Sequence, residues 1–303
     1  MKVKTQLNAP LVLMVALLAL SFCFQACDTK TIKGTATEVN TEQVALKAAL
    51  TFYSSFDQGI NADFALGDDQ LYTSPIKSMD SARVGLHKSD ISIADGKGLF
   101  GNGLQFTERS AGYIFYRSEK NITYDTAYWN GAVSFWLSLD PATDLKPGYC
   151  DPIQITDVSY NDAAIWVDFT KENPRDFRLG VIGDRDSWNP SPEGPDNENP
   201  IFNAQLAAVK EPPFGTGRWT HILINFSALN TDNGSASLFI DGQLAGTRSS
   251  IKDPFTWDYA QSNILLGLGY IGLMDEVSIY NKTLSQEEIK TIYELKGGVK
   301  ELL

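Results

Sequence analysis

From residue 50 onward the chain alternates between apolar and polar side chains. Leu50, Phe52 and Phe56 alternate with Thr51, Tyr53 and Ser55, the pattern of a half-buried strand. Similar short runs recur at 103–106, 111–116, 132–139, 153–156, 164–169, 177–182, 219–226, 236–240, 264–268 and 272–280. Gly, Asn, Asp and Pro bound them, and no long stretch of helical period separates them. The pattern therefore predicts an all-β protein, an antiparallel sandwich of short strands. Asp241-Gly242, set between Leu238-Phe239-Ile240 and Gln243-Leu244-Ala245, predicts a tight hairpin with Gly at positive φ. Helical signals are few. Residues 41–49 read as a short helix with Leu46 and Leu50 among its apolar positions. Ser285 and Glu288 have capping-box spacing ahead of an Ile289, Ile292, Leu295 stripe that stops at Gly297-Gly298, predicting a short C-terminal helix. Residues 184–217 differ: six prolines with Asp196, Asn197 and Glu198 among them read as a long surface excursion from the sandwich.

The first residues are of another kind. Lys2 and Lys4 precede an uncharged apolar run from Leu11 to Leu20, a basic n-region and short h-region too brief for a spanning helix. The run leads into Ser21-Phe22-Cys23-Phe24-Gln25-Ala26-Cys27, whose Ala26-Cys27 pair resembles the end of a bacterial lipobox, with Phe24 where Leu is usual. That resemblance implies a lipoprotein-type signal peptide over 1–26, lipidation of Cys27 and a membrane-anchored lipoprotein exported to the bacterial cell envelope. Ordinary cleavage near Ala26, with free secretion, is the alternative. Residues 27–40 are polar and read as a tether, leaving 41–303 for one domain.

Composition then narrows the function classes. The 303 residues carry 25 Lys and Arg against 37 Asp and Glu, and removing Lys2 and Lys4 with the signal takes the net charge from −12 to −14. No basic cluster stands out, which argues against nucleic acid as a partner. A chain cut before Cys27 keeps only Cys150 besides the lipid-bearing cysteine, so the fold must rest on packing without an internal disulfide. With two histidines in all and no activating base near Cys150, a catalytic thiol is not expected.

Four pieces occur in an order that resembles a laminin-G-like, concanavalin A-like lectin/glucanase domain over residues 50–296. They are Phe56-Asp57; Gly98-x-x-Gly101-x-Gly103-Leu104-x-Phe106 followed by Gly131 to Leu137; Trp219-Thr220-His221-Ile222 before Leu238 to Gly242; and Leu266 to Asn281 leading into the Leu284 helix. The resemblance implies a jelly-roll β-sandwich. It also implies a structural Ca²⁺ between the N-terminal Phe-Asp segment and the C-terminal Asp-Glu-Val strand, here Asp57 and Asp275. Their ordinary alternative is a turn residue and a solvated strand residue. Phe135, Trp136 and Leu137 are expected to supply core bulk, and His221, in an alternating strand, to be a packed residue.

Lectin-like sandwiches commonly recognise glycans or proteins, and sugar binding needs an aromatic face beside polar groups. Trp129, Trp188 and Trp257 each join a polar neighbour in an expected loop and are the candidate ligand-binding residues, Trp188 foremost because it lies in the proline-rich excursion. The same fold hosts glycoside hydrolases, whose carboxylates lie on one strand as Glu-x-Asp-x-x-Glu so that alternation aims them into one cleft. No such string occurs, nor a Gly-x-Ser-x-Gly or His-Glu-x-x-His motif. The reading is a non-catalytic module that binds glycan or an extracellular protein, with a hydrolase or a purely structural envelope protein as alternatives.

Overall fold

The computed structural model describes residues 40–303. The signal peptide, Cys27 and nearly all of the tether lie outside the described residues. The strands run β1 (Leu50–Ser54), β2 (Phe64–Ala65), β3 (Tyr72–Ser74), β4 (Arg83–Val84), β5 (Ile91–Ala94), β6 (Gly103–Phe106), β7 (Tyr113–Arg117), β8 (Trp129–Ser138) and β9 (Cys150–Thr156). They continue as β10 (Ala164–Phe169), β11 (Phe177–Ile182), β12 (Ala207–Val209), β13 (Trp219–Leu229), β14 (Gly234–Ile240), β15 (Gln243–Ile251), β16 (Asn263–Leu268) and β17 (Gly272–Tyr280). The α-helices are α1 (Thr41–Ala49), α2 (Arg185–Trp188), α3 (Pro200–Asn203) and α4 (Gln286–Glu294).

Two antiparallel sheets form the sandwich. The first is ordered β15-β14-β13-β8-β17-β1-β2, with β6 pairing β17 and β5 alongside it; the second is β12-β11-β10-β9-β16-β7-β3-β4. Alternation from both inner faces fills the space between them: Phe135, Ile165, Val167, Leu179, Ile224 and Leu266 meet in one core. No staple is needed to hold it, since Cys150 is a buried free thiol. Asp241 (φ 49°) and Gly242 (φ 73°) both take positive φ at the β14–β15 turn, as a two-residue hairpin with right-handed strand twist requires.

Both outer faces are also partly covered. On the first sheet, α1 and α4 bury Leu46, Leu223, Phe239, Tyr280, Ile289 and Ile292 in a second cluster. For that reason β1 is buried at all five positions, where its alternation predicted a half-buried strand. Trp136 likewise points away from the sandwich core and stacks on Tyr293 of α4 at 5.7 Å, while Phe135 and Leu137 point inward. Helix α4 starts with the predicted box: Ser285 Oγ accepts from Glu288 N, and Glu288 accepts from Ser285 N.

On the second sheet the covering element is the 184–217 segment. It contributes β12 as an edge strand beside β11 and lays α2 and α3 across the outer face, where Trp188 and Phe202 pack on Ala164, Trp166 and Ile182. Buried Asp196 fastens it by accepting from Arg185 Nε, Asn161 Nδ2 and Asn189 Nδ2, each at 2.6 Å. The excursion is packed structure rather than a free loop.

Candidate functional site

Where that cover stops, the outer face of the second sheet opens into a cavity of about 130 Å³ lined by Tyr149, Asp151, Trp166, Asp168, Arg178 and Phe202, among others. Strand period two builds its floor. In β10, Ile165 and Val167 enter the core, which sends Trp166 and Asp168 to the cavity side. On β11 their cross-strand partners are Gly180 and Arg178. Gly180 leaves room for the indole: a Cβ there would meet Trp166 Cζ2 at 2.2 Å. Arg178 donates through Nε to Asp168 Oδ1 at 2.8 Å and through Nη2 to Oδ2, a bidentate pair, and its guanidinium lies 5.0 Å from the Tyr149 ring centroid.

Asp151 comes from the neighbouring strand β9. Burial, and then the Asp168 charge, push its carboxyl well above the usual carboxylate range, against the pull of Lys77, Arg178 and Arg109. Burial likewise pushes Asp168 upward, with Arg178 opposing. With the Gln154 amide turned to suit its neighbours, its oxygen accepts from Lys77 Nζ and its nitrogen donates to Asp151 Oδ2, both at 3.1 Å. Lys77 Nζ also sits 5.8 Å over the Tyr113 ring, and burial pushes its pKa down. The site thus offers aromatic surface, a fixed guanidinium, an ammonium and two neighbouring carboxyl groups.

None of these residues stood out in sequence as a site. The available signal was a charged residue inside a run that is otherwise wholly apolar, Asp168 in Ala-Ile-Trp-Val-Asp-Phe. The three tryptophans that did stand out are placed differently. Trp129 is 1% exposed, packed edge-on against Tyr124, Phe226, Phe255 and Trp257, and offers no face to a ligand. Trp188 is 6% exposed with its indole N–H donated to Asn161 O at 3.0 Å; it buttresses Phe202 behind the cavity. Trp257, 7% exposed, lines with Tyr124 a larger open hollow of about 530 Å³. That aromatic wall has its polar atoms already engaged, Trp257 Nε1 with Ala163 O and Tyr124 Oη with Phe255 O.

Asp57 and Asp275 do meet beneath one loop, as the resemblance implied. Asp57 Oδ1 accepts from Asn102 N at 2.8 Å, and Asp275 Oδ2 accepts from Phe100 N at 3.1 Å. The remaining oxygens are also turned to donors: Asp57 Oδ2 to Lys300 Nζ at 3.0 Å, and Asp275 Oδ1 to Glu276 N at 2.8 Å. Glu276, the neighbouring acid, faces elsewhere and accepts from Tyr53 Oη and Val299 N. Ca²⁺ needs six to eight oxygens with lone pairs directed at one point. Here N–H groups and an ammonium occupy those directions, and no group of three or more His, Cys, Asp or Glu able to hold a metal occurs among the described residues. Burial and then the Glu276 charge push Asp275 up to about 8. These residues do not fit the implied calcium; Lys300 supplies the positive charge instead.

His221 is a packed residue, 0% exposed, with Nε2 at 2.8 Å from Ser134 Oγ and its ring against both Trp136 and Tyr293. Burial holds the Cys150 thiol protonated, which gives it no nucleophilic role.

Two antiparallel sheets packed as a jelly-roll sandwich define the concanavalin A-like class of β-sandwich. The family model described as concanavalin A-like lectin/glucanases superfamily (laminin G type) matches residues 130–290, and the chain belongs to that family. Similar solved structures include the botulinum neurotoxin serotype D ligand binding domain in complex with N-acetylneuraminic acid, at 15% identity and TM-score 0.51 over 84% of this chain and 52% of that one. The botulinum neurotoxin serotype D binding domain shares 12% identity at TM-score 0.51, over 82% and 52% of the two chains. Domain 4 of AbnA, a GH43 extracellular arabinanase from Geobacillus stearothermophilus, in complex with arabinotriose, shares 17% identity at TM-score 0.46, over 80% and 97%. The chain spans about half the length of the toxin binding domains it matches, and at these identities the likeness is one of fold. No curated protein matches the chain.

Proposed function

We propose that this chain is a non-catalytic glycan-binding module displayed at the bacterial cell envelope. The observation that carries the reading is the Tyr149–Arg178 cavity: the ring of half-buried Tyr149 for a sugar face beside charged groups that can satisfy hydroxyls, over a floor of strand residues Trp166, Asp168 and Arg178. The family and the sialic-acid complex of a toxin domain of the same fold are in keeping with it. Display at the envelope, with a lipid on Cys27 as the anchor, rests on the Lys2 to Cys27 pattern; no helix among the described residues is long and apolar enough to cross a membrane. A glycan array probed with the chain and with Tyr149→Ala tests the reading. Tyr149 is only half-buried, so its truncation leaves the fold intact while removing ring surface and the support beneath Arg178. Binding to at least one glycan that falls about tenfold or more in Tyr149→Ala, at unchanged Tm, is expected. Absence of any glycan signal, or signals untouched by the substitution, overturns it.

One observation favours the hydrolase alternative: Asp151 and Asp168 are neighbouring carboxyls on adjacent strands, a pair no single-strand motif would show. Bidentate pairing to Arg178 works against it, because it occupies both oxygens of the carboxylate that would serve as nucleophile or base. Release of reducing ends from any bound glycan, lost in Asp151→Asn, would establish hydrolysis.

A further inference from the structure

The chain is strongly acidic, 37 acids to 25 bases, and the cavity lining carries Asp151 and Asp168 with Arg178, the last two paired to each other. Lys77, Arg178 and Arg109 all pull on Asp151 while Asp168 opposes them, so three cations lie within electrostatic reach of this one carboxyl. Two of those cations lack a carboxylate of their own: neither Lys77 nor Arg109 takes part in an ion pair among the described residues. Arg178 is the more specific group. Its Nε and Nη2 are committed to Asp168; its Nη1 amino group donates to no protein acceptor among the described residues, and the side chain lines the cavity. Asp168 on one edge and Tyr149 beneath fix the guanidinium plane. A guanidinium locked along one edge presents its other edge as a preformed fork, and a planar carboxylate matches that fork better than a neutral hydroxyl. Lys77, partly desolvated and joined to Asp151 only through Gln154, supplies a second positive charge behind Asp151.

We infer that this cavity takes a carboxylated sugar, its carboxylate on the free edge of Arg178, its ring against Tyr149, and Lys77, behind Asp151, as the second cation. The inference rests on the glycan-binding reading and narrows it to acidic sugars. Uronates and sialic-acid-type sugars share this chemistry, and neutral glycans lack it. The Asp151 carboxyl lies between Lys77 and Asp168, and since burial holds it toward its protonated form it adds a donor for the same anion rather than repelling it.

Titration calorimetry on the full chain tests this with trigalacturonate, 3′-sialyllactose, the methyl esters of both, and lactose as probes. One of the two acids should bind, identifying the sugar type, and its methyl ester should bind at least about tenfold more weakly, since esterification removes the charge and the bidentate geometry together. Arg178→Lys retains a positive charge beside Asp168 but not the fork, and should lose about tenfold for the acid. Lys77→Gln, at a half-buried position outside the core, should lose affinity for the acid without a change in Tm and should lose its excess sensitivity to added salt. Equal affinity for acid and ester, or binding of lactose alone, overturns the inference and leaves the glycan-binding reading standing. Binding of none of the probes overturns the inference, and the array then decides the broader reading by itself. Binding of the acid with no effect in either variant overturns the assignment to this cavity.

Discussion

His221 provides a quantitative test of the outer cluster that seals the first sheet. Its imidazole is wholly buried under α4, and desolvation lowers its pKa from 6.5 to about 3. An imidazole in the unfolded chain titrates near its ordinary value, so between about pH 6.5 and 3 the unfolded state binds a proton that the folded state refuses. The sign follows: the stability His221 allows is present in full above pH 6.5 and is lost as pH falls through that window. At pH 5 the gap is about 1.5 pH units below the unfolded value, and at about 1.4 kcal/mol per unit the loss is about 2 kcal/mol. Acidifying the parent protein alone would not isolate this. Burial raises Asp275 to about 8 and Glu276 to about 7, and groups of that kind gain stability as pH falls toward the ordinary carboxylate range, opposite in sign over much of the same interval. The useful quantity is a difference. Urea unfolding of the parent and of His221→Gln, which keeps an amide in reach of Ser134, is measured at pH 7 and pH 5; the parent should lose about 2 kcal/mol more than the variant on acidification. Equal losses in the two proteins would refute the argument, because the imidazole would then be taking up its proton in the folded state.

Three further outcomes follow from the same geometry. Gly180→Ala places a Cβ 2.2 Å from the Trp166 indole, so the ring must leave the cavity floor; glycan affinity should fall about tenfold or more, with about 1–3 kcal/mol of stability lost by chemical denaturation. Because Lys300 and backbone N–H groups already satisfy Asp57 and Asp275, the Tm should be the same in millimolar Ca²⁺ and in chelator, whereas a rise of several degrees with Ca²⁺ would mean the loop rearranges around the ion. Trp129→Ala should cost about 3–5 kcal/mol in unfolding free energy through cavity formation, the behaviour of a core residue; a ligand-contact residue would lose binding at little cost in stability.

How much of this was readable in the sequence depends on what each signal reports. Period two located the long strands other than β15, of which only the turn-proximal 243–245 was read, and the Ser285–Glu288 box located the start of α4 to the residue, because both signals are local: one side chain and its near neighbours settle the outcome. The short edge strands β2, β4 and β12 escaped notice, since two- or three-residue pairings exist only where a neighbouring strand is waiting for them. Burial on a second face was invisible for the same reason. Tyr53 read as a solvent-facing neighbour of Phe52, and nothing near it in the chain announces that α1 and α4 will lie on top.

The cavity shows the limit most clearly. Aromatic residues in irregular, proline-rich sequence looked like ligand contacts because loops usually run over the surface, yet Trp188 was spent on holding the 184–217 segment down, its indole N–H on Asn161 and its ring on Phe202. Asp168 and Arg178, left to line the cavity, lay in strands, at outward positions that alternation alone would assign to solvent. What distinguishes Asp168 and Arg178 from solvated strand charges is their register, 168 opposite 178 and 166 opposite 180 across the β10–β11 ladder, together with a cover drawn from residues 20 to 35 positions further along. Register between strands and the landing place of a long segment are tertiary facts. A charge that sits two residues from a tryptophan in an otherwise apolar strand is the trace they leave in sequence, and in this chain the same two-residue step that buries Ile165 and Val167 is what brings the indole and the carboxylate side by side.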